Sequence, residues 1–386
     1  MVDWDAYRKL FPHTEHVIYF NHAAVSPLHQ RSLDAIRAYQ NQRSRNNIEF
    51  FPDILEEKQQ FKELLGKLIH APADSIAVTE NTSMGLNWLA RGISWNPGDR
   101  VILNNFEFPS NVYPFLQLQK QGVRIDFVKH RHGRIEPHDI AAMVRPETRL
   151  LSISFVEFLN GFRNDLAAIA QICQTHDIIF CVDAIQGLGA LQLDVQKLGI
   201  DFLACGGHKW LMFPLGTAFF YVSPRIFDRL EPMALGWLSV ENSWDFFNYE
   251  LKLLPNAARF ETGAFNIAGV IGAKATLQMF LEIGTQQIEN RILANTDYLI
   301  KKLQQNGYEL FTTTEQPHRS GIVTFYHPRA EELSAFLKQK RIIVSLREGM
   351  IRVSPHFYNT SAEIDTFLEF LDRFDQTDKA SGDIGR

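Results

Sequence analysis

The sequence predicts an α/β protein with a mostly parallel sheet, followed by a smaller α+β domain. Three observations carry this. Through the middle of the chain, short β-branched runs alternate with helical patterns, which is how βαβ units read. The run "DIIFCVDA", Asp177–Ala184, is nearly all apolar, as a strand covered on both faces must be. After about residue 280 the alternation gives way to short strands and helices in a different order.

In chain order, "SIAVTE" (Ser75–Glu80) reads as a strand, and "SMGLNWLARGI" as a helix with Leu86, Leu89 and Ala90 on one face. "DRVILNN" (Asp99–Asn105) and "RLLSISFV" (Arg149–Val156) are further strands. "DFLACGG" and "GTAFFYV" (Gly216–Val222) follow the apolar run at Asp177. Later, "GIVTFYH", "RIIVSLR" and "MIRVSP" read as short strands, with the helix "EELSAFLKQK" between the first two. In the closing helix, "TSAEIDTFLEFLDRF", Thr360 and Glu363 form a capping box, and Ile364, Phe367, Leu368 and Leu371 recur at helical spacing. The expected division is a large domain over 17–278 and a small one over 279–376. Segment 1–16 should pack near the small domain, and 377–386 should be a loose tail.

The 386 residues suffice for a large and a smaller domain. Apolar residues make up 45% and charged residues 22%, a balance typical of soluble globular proteins. With 30 phenylalanines, much of the core should be aromatic. The net charge of −5 is mild and no basic stripe points to nucleic acid. No run is long and apolar enough to cross a membrane, and "MVDWDAYRKLFPH" lacks an apolar signal core. Cys173, Cys181 and Cys205 show no metal-ligand spacing, so no metal site is expected, and they fit a reducing cytoplasm.

A lysine stands in one of the most apolar stretches, "DFLACGGHKWLMFPLGTAFF". Lys209 follows one buried strand, and Asp183 ends another, three residues before Gln186. In a parallel α/β sheet, ligands bind beyond the carboxyl ends of the strands. Asp183, Gln186, His208 and Lys209 would meet there, with Thr82 and Ser83 at the start of a helix. Hydroxyls and free N–H groups at a helix N-terminus suit a phosphate. A lysine, an acid and a phosphate cradle together point to pyridoxal 5'-phosphate. Its aldehyde needs an amine, and its pyridine nitrogen a carboxylate that keeps it protonated. Desolvation lowers a lysine pKa and makes the amine nucleophilic. Taken singly, each residue also has an ordinary structural reading; their joint order at strand ends raises the functional one.

The segment "VDAIQGLGALQLDVQKLGIDFLACGGHKW" resembles the cofactor segment of the class V aminotransferases. That family includes cysteine desulfurases, selenocysteine lyases, kynureninases and isopenicillin epimerase-like enzymes. "YFNHAAVSP", "VTENTSMGLNWLA", "RFETGAFNIAGVIGAKATL" and "IRVSPHFYNTSAEIDTFL" extend the resemblance over nearly the whole chain. It implies the fold type I architecture of pyridoxal-phosphate enzymes, with a mostly parallel seven-stranded sheet, and a homodimer. It also makes Lys209 the Schiff-base lysine, Asp183 the partner of the pyridine nitrogen and Gln186 a donor to the ring's phenolic oxygen. Thr82, Ser83 and His208 become phosphate contacts, Arg352 the anchor of the substrate carboxylate, and Phe108 of "FEFPSN" the residue stacked on the ring. His22, Asn111 and Arg347 are candidate polar groups near the substrate.

Departures from the family pattern bear on the reaction. Desulfurases carry a nucleophilic cysteine just before the strand that holds Arg352, whereas "VSLREGMIRVSP" is short and has none. Phe158 replaces an asparagine, and Gly206 a serine, that relatives carry. Ala264 replaces an inter-subunit phosphate threonine, which nominates Asn266 of a second subunit to complete the phosphate site. The resulting expectation is an enzyme on an α-amino acid, with transamination ahead of a carbon–sulfur or kynureninase-like β-lyase or an epimerase. A desulfurase acting through a protein persulfide is not expected.

Overall fold

The structure is a computed structural model that describes residues 2–46 and 51–382. Seven strands build the main sheet: β1 (Ile76–Thr79), β2 (Arg100–Asn104), β3 (Arg124–Val128), β4 (Thr148–Ser154), β5 (Ile179–Asp183), β6 (Phe202–Gly206) and β7 (Ala218–Val222). Their spatial order is β1-β7-β6-β5-β4-β2-β3. Strands β2 to β6 pair in parallel, and β7 runs antiparallel to both its neighbours. The mostly parallel seven-stranded sheet is therefore present.

Burial explains why the central strands were readable. Every residue of β5, β6 and β7 is buried. In β5, Phe180 and Val182 enter one core and Ile179 and Cys181 the core on the opposite face, following the two-residue period of a strand. Strand β3 was missed from sequence. It lies at the sheet edge, carries Arg124 and Asp126, and is only partly covered, so its apolar signal is weak. An ion pair between Arg100 on β2 and Asp126 ties it on.

The smaller C-terminal α+β domain has an antiparallel sheet of β8 (Val323–Tyr326), β9 (Ser345–Arg347) and β10 (Met350–Val353), ordered β9-β10-β8. Its core joins Val323, Phe325, Ile351 and Val353 to Phe367 and Leu371 of the closing helix. "RIIVSLR" is two strands rather than one. Ile342 and Ile343 pair in parallel with Ile18 and Tyr19, residues that the expected division places in the large domain. The capping box is formed: Thr360 N–H donates to Glu363 at 2.9 Å and Glu363 N–H to Thr360 Oγ1 at 3.2 Å. That helix runs Ser361–Gly382, so the expected loose tail is helical as far as the described residues reach, and 383–386 lie outside them. Among the described residues no single helix is long and apolar enough to cross a membrane.

Candidate active site

The carboxyl ends of β5 and β6 and the start of helix α1 (Thr82–Gly92) converge on a cavity of about 360 Å³. Thr82, Ser83, Phe108, Asp183, Gln186, His208, Lys209, Arg347 and Arg352 all line it, so nine residues nominated from sequence meet in one place. Phe158 also lines its wall.

Asp183 is the last residue of β5, and its Oδ1 accepts the Ile185 N–H at 3.0 Å, which turns the chain away from the sheet. Burial pushes its carboxyl up to about 6, against the Ile185 N–H and the Lys209 charge, which favour ionisation. Burial lowers the Lys209 amine to about 8; Asp183 opposes this, while Arg352 and Arg347 reinforce it. The turn carrying His208 and Lys209 is packed too tightly for a side chain at Gly207, where a Cβ would lie 1.9 Å from the Phe213 ring. Gln186 is held by two neighbours: its amide donates to Ala23 O at 3.0 Å and its oxygen accepts from Trp210 Nε1 at 3.1 Å.

Helix α1 is capped by Asn81, whose side chain accepts the Met84 N–H at 2.8 Å. Thr82 and Ser83 are thus its first turn rather than its cap. Thr82 Oγ1 accepts the Gly206 N–H at 2.8 Å, and a Cβ on Gly206 would come within 3.0 Å of that oxygen and 3.4 Å of His208 Nδ1. The bare glycine keeps open a cradle between the helix start and His208. Ser83 donates to Ser110 at 2.8 Å, joining α1 to the turn after Phe108. Burial and the Lys209 charge lower the His208 pKa.

On the other side, Phe108 and Phe158 meet edge to face, 5.3 Å between centroids, and Lys209 Nζ lies 5.5 Å from the Phe108 ring centre. Arg352 on β10 is 2% exposed; its Nη1 donates to the Phe158 carbonyl and its buried Nε has no partner. In the β9–β10 hairpin, Ser345 pairs with Arg352 and Arg347 with Met350, so both arginines stand on the same face. A helix N-terminus with hydroxyls, a buried acid, a softened amine and an under-bonded guanidinium fit a phosphorylated pyridine aldehyde and an amino-acid carboxylate.

Three nominated residues are not brought to this cavity. His22 is fully buried, with Nδ1 against Ser354 O at 2.8 Å and Nε2 against the Tyr358 hydroxyl at 2.6 Å. Asn111 is buried on the far side of its turn, accepting from Ser152 at 2.6 Å. Within one chain Asn266 caps helix α2 (Ile267–Ile283) and lines another cavity with Ala264. His22 and Asn111 are each one residue from a lining residue, Ala23 and Ser110, without lining the cavity themselves. Conversely, Glu107 and Glu157, each one residue before a pocket phenylalanine, passed unremarked; an acid inside an apolar motif was the available signal. The cysteines are buried, Cys205 on β6 among them, and burial raises its thiol pKa well above the usual range.

Residues 18–367 match the aminotransferase class-V family model. The chain belongs to the class-V aminotransferase family. Pyridoxal 5'-phosphate is this family's cofactor, and the residues described above fit it. A probable cysteine desulfurase of Methanothermobacter thermautotrophicus is 32% identical to this class-V protein over 81% of this chain and 82% of its own. Another, from Pyrococcus abyssi, is 28% identical over 95% and 96%. The apo structure of a cysteine desulfurase from Thermococcus onnurineus NA1 superposes with a TM-score of 0.89 at 25% identity, covering 97% and 98%.

These findings correct the expected reaction. Transamination was placed first on the family's name and on the bare lysine–aspartate machinery, which every branch shares. The three relatives above are instead named cysteine desulfurases. The expectation against a persulfide-forming desulfurase rests on the cysteine-free loop before Arg352 and on the strand- or helix-like setting of the three cysteines, and the kinship with proteins named cysteine desulfurases overturns it.

Proposed function

We propose that this class-V protein is a carbon–sulfur lyase of the desulfurase type, acting on cysteine or a cysteine-derived amino acid. The observation that carries the reading is that two relatives covering 81% and 95% of the chain, and a solved structure covering 97%, are named cysteine desulfurases, joined to a pocket whose substrate side is aromatic. Phe108 and Phe158 offer ring edges and faces beside Lys209, and sulfur packs well against aromatic rings, by about 0.3–1.5 kcal/mol per contact.

In this reading Arg352 holds the substrate carboxylate with the guanidinium edge that Phe158 leaves free. Lys209 anchors the cofactor at rest and, once released, accepts the α-proton on Nζ; an amine near 8 suits that task. Asp183 keeps a proton on the ring nitrogen, Gln186 faces the ring, and Thr82, Ser83 and His208 receive the phosphate. Pyridoxal phosphate, when bound, supplies the electron sink for the pair left at the α-carbon. Arg347, on the same hairpin face as Arg352, adds positive charge on the substrate side.

The test is turnover without a keto acid. Holoenzyme is mixed with L-cysteine, L-cystine or an S-alkyl cysteine, and reduced sulfur is measured beside the cofactor spectrum. Sustained sulfur release is expected. Conversion of one cofactor equivalent followed by arrest, or no sulfur above the rate with free cofactor, overturns the reading.

We also infer a homodimer, in the reducing cytoplasm that three unpaired cysteines fit. Phe247, Tyr249 and Leu251 are 89%, 86% and 68% exposed in one continuous segment, a costly display unless a second copy covers it. Asn266 of the partner subunit would then complete the phosphate site. A Phe247→Glu/Tyr249→Glu double variant should sediment as a monomer; a parent that is monomeric at micromolar concentration removes this inference.

A further inference from the structure

Two Glu-Phe pairs, Glu107-Phe108 after β2 and Glu157-Phe158 after β4, are built alike. In each the phenylalanine lines the cavity and the glutamate is buried beneath it. The acids converge on the Asn104 amide, which donates to Glu107 Oε1 at 2.7 Å and to Glu157 Oε1 at 3.5 Å. Glu107 Oε1 also accepts the Ser154 N–H at 2.7 Å, and its Oε2 accepts the Ser154 hydroxyl. Glu157 Oε1 accepts from Asn164 at 2.9 Å, but its Oε2 is buried without a partner. Of the four carboxyl oxygens, Glu157 Oε2 alone faces no donor.

Two ionised carboxylates sharing one amide in a dry site repel each other strongly. The further acid facing them is Asp183, whose strand partner is Ser154 and whose charge raises the cost of a second negative charge; the nearby Cys181 thiol is kept neutral by burial. Donors decide which acid ionises: Glu107 has three and Glu157 is short of one. We propose that Glu157 stays protonated on Oε2 and Glu107 stays ionised, and that this mixed pair positions Phe108 and Phe158 as the aromatic wall of the active site. Burial and like charge raise Glu157 well above the carboxylate range and Glu107 only to about 7; hydrogen bonds pull both back down, with more donors acting on Glu107. Because the Phe158 carbonyl also accepts from Arg352, the pair further sets where that guanidinium sits.

Glu107 and Glu157 are thus positioning residues. The part concerning substrate rests on the lyase reading; the protonation state does not. Infrared spectra of the intact protein at pH 8 should contain a carbonyl band of a buried carboxylic acid, and Glu157→Gln should remove it. Glutamine mimics a neutral acid, so this variant should fold, bind pyridoxal phosphate within about twofold of the parent and keep its visible spectrum. Glu107→Gln loses the anion that Ser154 and Asn104 solvate. It should weaken cofactor binding about tenfold, shift the cofactor absorbance and raise KM more than it lowers kcat. Absence of the band, its persistence in Glu157→Gln, an unfolded Glu157→Gln, or equal effects of the two substitutions each overturn the proposal. Failure of cysteine turnover with the band and cofactor arms intact would count against the lyase reading instead.

Discussion

The carbonyl oxygen of Phe158 accepts a hydrogen bond from Nη1 of Arg352, tying the loop after β4 to the small domain across the active site. One edge of the guanidinium is thereby fixed, and the buried Nε remains without a partner. A fork already half oriented loses little freedom on meeting a planar carboxylate.

Arg352→Lys should therefore weaken amino-acid binding by about 10- to 100-fold, the worth of a charged two-point contact. Cofactor binding should change little. Titration of the resting holoenzyme with substrate, followed by absorbance, reads both, and an unchanged substrate affinity removes Arg352 from the carboxylate site.

Lys209 makes a pH prediction. Its amine is neutral above about 8, so capture of pyridoxal phosphate by the apoprotein should accelerate as pH rises through 8 and then level off. An ordinary lysine, with a pKa of about 10.4, would continue to gain above pH 9. Borohydride trapping and peptide mapping should place the label on Lys209, and a rate still climbing at pH 10 would contradict the depressed amine.

Asp183→Asn keeps the shape of the site but leaves the ring nitrogen without its ionic partner. Cofactor should still be captured, while turnover falls by about 100-fold or more. Near-parental turnover in a variant shown to hold cofactor would rule out the pairing.

Two substitutions separate packing from capping. A Cβ at Gly207 must displace the Phe213 ring, so Gly207→Ala should cost about 1–3 kcal/mol and disturb the Lys209 turn, lowering cofactor affinity as well as Tm. Thr360→Ala removes a half-buried reciprocal cap that does not line the cavity and should cost about 1 kcal/mol with cofactor affinity intact. Thermal melts with and without cofactor distinguish them; equal loss of cofactor affinity in both would refute the difference.

The sequence by itself determined the sheet class, most of its strands and many of the residues that line the cavity at their carboxyl ends. Burial on both faces wrote β5, β6 and β7 as unbroken apolar runs, so Asp183, His208 and Lys209 stood out as polar groups at their ends. Only tertiary structure decided which other polar residues join them. His22 precedes the pocket residues Ala23 and Ala24 yet turns to Ser354, a partner 332 positions away, and Asn111 turns to Ser152, 41 away. Glu107 and Glu157 become a pair because Ser154 and Asn104 reach them across 47 and 53 positions. The physical reason is range. Apolar periodicity is a local property that each segment carries alone, whereas a buried polar group takes its role from donors and charges that distant strands deliver.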